Sequence, residues 1–228
     1  MSLRLPILLF AALVLPLSAQ KAKPSGKGES GITLRLLADE VPEGQAKVVL
    51  QTGDSKSAAI DLPTATLSVP VVVPARTVVL KAADKDDPLC SITLPDEGKS
   101  FAILLAPEKP AGYAPFVLRL DDDTFKAGDM FIINRSAKTV VLKLGGTEVV
   151  LEVGKTVKSH PTNPVDDNYY NVTISERDPS GDKLVTSSRW PVDVHLRSYL
   201  FFSTNDKGRT TFRAVDEYLE AADGKKKR

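Results

Sequence analysis

From Ile32 onward, short runs of Val, Ile, Leu and Thr recur with polar residues alternating between them, and each run is closed by Gly, Pro, Asp or Asn. A period of two places successive side chains on opposite faces of a strand, and turn formers spaced every eight to twelve residues or so mark a sandwich or barrel rather than a helical protein. The pattern predicts a first series of strands from Ile32–Leu37 to Ser100–Leu105 and a second from Phe116–Leu120 to Thr210–Val215. The fold class is therefore all-β, with two tandem β-sandwich domains of immunoglobulin-like or Greek-key type.

Between the two series, Ala106 to Pro115 carries three prolines, which cannot donate to a sheet ladder. A domain boundary near residue 112 follows, with one sandwich over 32–112 and the other over 113–215. Ala75–Ala82 (ARTVVLKA) is nearly repeated as Ala137–Leu144 (AKTVVLKL), and a Gly-Lys pair follows each copy, which suggests two similar halves. In the second copy Gly145-Gly146 suits a tight hairpin turn. Helix is expected only near the end, where Asp216 could cap Glu217–Ala222 within a terminal segment, 216–228, that ends in a basic tail.

Ahead of the strands, residues 1–19 read as a signal peptide: Arg4 supplies the positive start, Leu5–Leu17 the apolar stretch and Ser18-Ala19 the small residues before cleavage. The apolar stretch falls short of the roughly 20 residues that span a bilayer, and no later run is longer, so the mature chain is expected to have no transmembrane segment. Residues 20–31, rich in Gly, Ser, Lys and Pro, read as a flexible linker. These features predict an exported protein, periplasmic or extracellular.

Export makes the cysteine count informative, since Cys90 stands alone and can form no internal disulfide. It falls on an apparent strand, where a lone Cys acts as a small apolar residue. Of the 30 Lys and Arg, Arg4 lies in the leader, which leaves 29 against 29 acids; Lys225–Arg228 supply four of those cations, so the body is mildly acidic. A body of that sign lacks the basic face that nucleic acid requires.

Candidate chemistry is sparse. The chain has two histidines, His160 and His195, neither within a metalloprotease or nucleophile-elbow motif. A blue-copper site takes two His, a Cys and a weak Met, but Cys90 precedes Met130 by forty residues and both histidines come later. No cofactor is expected. Three acid clusters fall between strands, and the consecutive carboxylates Asp121, Asp122 and Asp123 are the candidate calcium ligands, although Asp is also a common turn former. The aromatic residues concentrate in the second half; Tyr169, Tyr170 and Trp190 are the candidate ligand-binding side chains. Tyr199–Phe202 is apolar on both faces and reads as core. Asn134-Arg135-Ser136 and Asn171-Val172-Thr173 fit the glycosylation pattern.

The functional expectation is a non-enzymatic binding or structural protein of the cell envelope or secretome, with an envelope protein or a glycan as partner. Two alternatives stand beside it: a carbohydrate-binding accessory module, and a secreted hydrolase whose site is assembled from distant residues.

Overall fold

The computed structural model describes residues 31–85 and 87–219. The expected signal peptide, most of the linker and the basic tail lie outside the described residues. Within them the chain forms seventeen strands and no helix.

The first nine strands are β1 (Ile32–Ala38), β2 (Lys47–Thr52), β3 (Ser55–Lys56), β4 (Ile60–Asp61), β5 (Val71–Val73), β6 (Thr77–Ala82), β7 (Pro88–Thr93), β8 (Ser100–Pro107) and β9 (Tyr113–Arg119). They make one sandwich, with sheet order β5-β1-β8-β9 facing β3-β2-β6-β7, and β4 also paired to β2. The other eight are β10 (Met130–Asn134), β11 (Thr139–Leu144), β12 (Thr147–Leu151), β13 (Thr156–Ser159), β14 (Tyr169–Asp178), β15 (Gly181–Pro191), β16 (Leu196–Thr204) and β17 (Thr210–Tyr218). Their sheets run β13-β10-β16-β17 and β12-β11-β14-β15.

The two sandwiches share one topology. The first strand of each is parallel to the last but one, β1 to β8 and β10 to β16, and an antiparallel strand flanks it on the other side. The sequence likeness between Ala75–Ala82 and Ala137–Leu144 does not follow this equivalence. It matches β6, which corresponds to β14, with β11, which corresponds to β2. Alternating Thr, Val, Leu and Lys is what any half-buried strand requires, which accounts for the likeness without equivalence of position.

Period-two alternation decides what each strand buries. On β8, Phe101, Ile103 and Leu105 enter the core of the first sandwich, while Ala102 and Leu104 turn to the opposite face. On β16, Leu200 and Phe202 enter the second core, and Tyr199 and Phe201 turn away from it. These outward faces meet. With Leu37, Leu118, Phe125, Phe131, Ile133 and Val215 they form a third apolar cluster that joins sheet β5-β1-β8-β9 to sheet β13-β10-β16-β17. The molecule is thus four sheets deep, and its two inner sheets are covered on both faces, which explains why all five residues of β10 (MFIIN) are buried.

Two expectations are corrected. The boundary placed near 112 cuts the first sandwich, because β9 pairs with β8 along Phe101↔Arg119 to Pro107↔Tyr113; the connection between sandwiches is the stretch 120–129. Pro115 is tolerated because β9 is an edge strand. The terminal helix is absent as far as the chain is described: Asp216, Glu217 and Tyr218 extend β17 and pair with Ser198, Arg197 and Leu196. The ladder with β16 and the Glu217 ion pairs described below outweigh a short local helix preference.

Candidate functional site

At the end of the second sandwich where β10, β14 and β16 begin, the two sheets part around a cavity of about 360 Å³. Its walls come from both sheets. Tyr170 and Trp190 are cross-strand partners on β14 and β15 and so project on the same side of their sheet. Phe212 of β17 faces them from the other sheet, its ring centroid 5.8 Å from that of Trp190. Met130 and Leu144 complete the apolar lining. Burial pushes the Tyr170 phenol up from its ordinary value, so it stays neutral and can still hydrogen-bond.

The rim is polar. Asp129 is buried, and each of its carboxylate oxygens is held: Oδ1 lies 2.6 Å from His160 Nδ1, and Oδ2 accepts from the Lys126 backbone N–H at 2.7 Å. A carboxylate at Nδ1 favours the tautomer protonated there, which leaves Nε2 as an acceptor. The His160 side chain is 60% exposed, so Nε2 is reachable. Asp216 accepts the Ser198 hydroxyl at 2.5 Å, and Asp193 accepts the His195 backbone N–H at 2.8 Å. Pro191, Val192 and Val194 carry the chain around the rim between β15 and β16, with Val194 exposed.

Of the three aromatic candidates, Tyr170 and Trp190 line this cavity and Tyr169 does not. Tyr169 is one position out of phase on β14 and points to the outer face, where the Arg189 guanidinium lies 4.8 Å from its ring centroid. Sequence reasoning missed Phe212, Asp129, Asp193 and Asp216. Their positions on separate strands and loops left no local spacing to read, whereas Trp190-Pro191 was visible as an aromatic residue at a strand end.

Of the three consecutive carboxylates proposed for calcium, Asp121 and Asp122 are held by different partners. Asp121 accepts from the Lys99 backbone N–H and from Arg119 Nε at 2.8 and 2.9 Å, and although burial opposes it, these contacts hold its carboxyl below the ordinary range. Asp122 is held lower still by Lys158 Nζ at 2.9 Å and by the hydroxyl and backbone N–H of Thr124. The chain's own donors thus take up the charge a cation would have neutralised. Among the described residues no group of three or more His, Cys, Asp or Glu is placed to hold a metal ion.

No family model and no curated protein matches the sequence. A solved structure of a candidate cell-adhesion protein from Bacteroides uniformis ATCC 8492 aligns over 86% of this chain and 100% of its own length, at 9% identity and a TM-score of 0.22. Agreement that loose carries no argument about this chain. Among the described residues no helix is long and apolar enough to cross a membrane.

Proposed function

We propose that the protein is an exported binding protein without a catalytic role, and that the cavity at the end of its second sandwich is a seat for a glycan. The observation that carries this reading is the pairing of Tyr170 and Trp190 across from Phe212 within a cavity of about 360 Å³ whose rim bears carboxylates. Sugar rings offer apolar C–H faces that stack on aromatic rings and hydroxyls that donate to carboxylates, and a mostly apolar pocket with a few convergent polar groups is where ligands bind. Exposed loops on a rigid sandwich serve such a site well, because their side chains can vary without disturbing the sheets.

Trp190 is the single tryptophan of the chain, so its fluorescence reports on the cavity directly. Titration of the mature protein with a panel of neutral oligosaccharides is expected to change that emission saturably for at least one of them. Tyr170→Ala should abolish the change while far-UV circular dichroism stays as in the wild type. A flat titration across the panel overturns the glycan reading.

A second reading, hydrolysis at the same cavity, is favoured by one observation, the buried Asp129 that orients His160. This is the arrangement by which a carboxylate prepares an imidazole as a general base. Ser198 donates to Asp216, and no hydrogen bond joins a hydroxyl or thiol nucleophile to the His160 ring among the described residues, so the base would have to act on water. Release of product from a panel of chromogenic glycosides and esters, lost in His160→Ala, would establish this reading in place of the first.

A further inference from the structure

We infer that the cavity selects a glycan carrying a free amine, an amino sugar in its cationic form. This rests on the glycan reading above and goes further by naming the charge of the ligand. The lining contains the carboxylates of Asp129, Asp193 and Asp216 and not one Lys or Arg. Two arginines on the strands that wall the cavity are committed elsewhere. Arg197 turns to the opposite face of β16 and is bound to Glu217, and Arg189 lies over Tyr169 on the outer face of its sheet. His160 is the only basic side chain at the rim, and it is already paired to Asp129.

The three carboxylates are not equally engaged. Asp129 has both oxygens occupied, whereas Asp193 accepts from the His195 N–H and Asp216 from the Ser198 hydroxyl, both neutral donors. Neither is balanced by a cation in the cavity. An anionic ligand would meet uncompensated like charge at the exposed rim carboxylates Asp193 and Asp216. A protonated amine meets the reverse: two carboxylates able to accept charge-assisted hydrogen bonds, and the faces of Trp190, Tyr170 and Phe212, whose quadrupoles attract cations. The aromatic rings and the acids belong to the same cavity, so one ligand can engage both through its ring face and its amine.

The experiment compares the glucosamine tetramer with its N-acetylated counterpart, at one pH where the free amines are protonated, by Trp190 fluorescence and calorimetry on the mature protein. The inference expects the free-amine tetramer to bind at least about tenfold more tightly, with an affinity that falls as salt rises. Asp193→Asn and Asp216→Asn keep the acceptor oxygens that the His195 N–H and Ser198 hydroxyl use, so both variants should fold with unchanged melting and lose most of that preference. Equal binding of the two tetramers overturns the inference and leaves the glycan reading standing. Binding of neither overturns both. If tetralysine binds as tightly as the glucosamine tetramer without altering Trp190 emission, the attraction is bulk charge at the surface and the inference also fails.

Discussion

Arg35 of the first sandwich reaches Glu217 of the second across 182 residues of chain, with Nη1 to Oε1 at 2.6 Å. The other carboxylate oxygen accepts from Arg197 Nε at 2.7 Å and from the Tyr199 hydroxyl at 2.6 Å. Glu217 and Arg197 are 10% and 7% exposed, so this is a desolvated cluster inside the seam between the inner sheets. A second contact closes the seam nearby: Arg213 donates to Asp39 and to the carbonyls of Ala38 and Thr64. Apolar packing holds the sandwiches together, and these directional contacts set how they meet.

Removing one partner of a buried pair leaves the other charge stranded, a loss of about 3–5 kcal/mol. Glu217→Ala is therefore expected to lower the melting temperature by roughly 10 °C for a protein of this size. Arg35→Met should cost only about 1 kcal/mol, because Arg35 is 29% exposed and Arg197 remains on the carboxylate. Differential scanning calorimetry decides both, and the wild type should melt in one transition because the seam couples the two sandwiches.

Acid should unfold the protein through carboxylates that the fold keeps ionised. Hydrogen bonds from Lys138, at 2.6 Å, and from Thr210 bring Glu176 down to about 2. Burial works against ionisation at Glu217, but its bonds to Arg197 and Tyr199 and the nearby guanidinium charges outweigh it and hold it low as well. A group whose value is lower in the folded state contributes stability that is complete above its unfolded value, near 4.3 for Glu, and that is lost as the pH falls through the folded value. Chemical denaturation measured between about pH 5 and 2 should show stability declining with acid. Glu176→Gln should make that decline shallower by up to one proton.

Asn134 is fully buried, and its amide donates to the carbonyls of Lys138 and Leu151 while its Oδ1 accepts from the N–H and hydroxyl of Ser136. Asn134→Ala leaves several of these groups unpaired and should cost about 3 kcal/mol by urea denaturation. The same burial leaves no room for a glycan. Expressed in a glycosylating host, folded protein should carry sugar at the exposed Asn171 and none at Asn134, as peptide mass mapping would show.

Gly145, in the β11–β12 turn, has φ +59°, and a Cβ there would lie 2.1 Å from the Thr162 carbonyl oxygen and 2.9 Å from the Tyr170 ring. Gly145→Ala should cost more than about 2 kcal/mol and weaken ligand binding through displacement of Tyr170. Gly154→Ala faces open space at φ +76° and should lose only the backbone strain, about 1 kcal/mol, with binding unchanged. Thermal melts of the two variants side by side separate contact from strain.

Most strands were legible because burial on one face forces alternation, and Tyr199–Phe202 announced burial on both. The short strands β3 and β13 escaped, since SK carries no apolar residue and TVKS a single one, and each is recruited by pairing, with β2 and with β10. Glu217 misled for a related reason. An acid at an inward position of β17 looks like the polar side of a helix until Arg35 and Arg197 arrive from other strands. The cavity was half legible: Tyr170 and Trp190 are in register across one hairpin, but Phe212 and the rim acids come together only when the second sheet closes over them. The cations beside the consecutive carboxylates were only partly legible: Arg119 stands two residues from Asp121, whereas Lys158 reaches Asp122 from 36 residues away.

The doubly covered inner sheets also determine how this protein can be taken apart. A fragment ending near residue 120 would retain its own core yet present Leu37, Ala102, Leu104 and Leu118 to water as one contiguous patch, and the complementary fragment would present Phe131, Ile133, Tyr199 and Phe201. Such faces are adhesive. Either half expressed alone would tend to self-associate, and the two mixed together would recombine, so the natural cut for a soluble piece of this chain falls outside the pair of sandwiches and not between them.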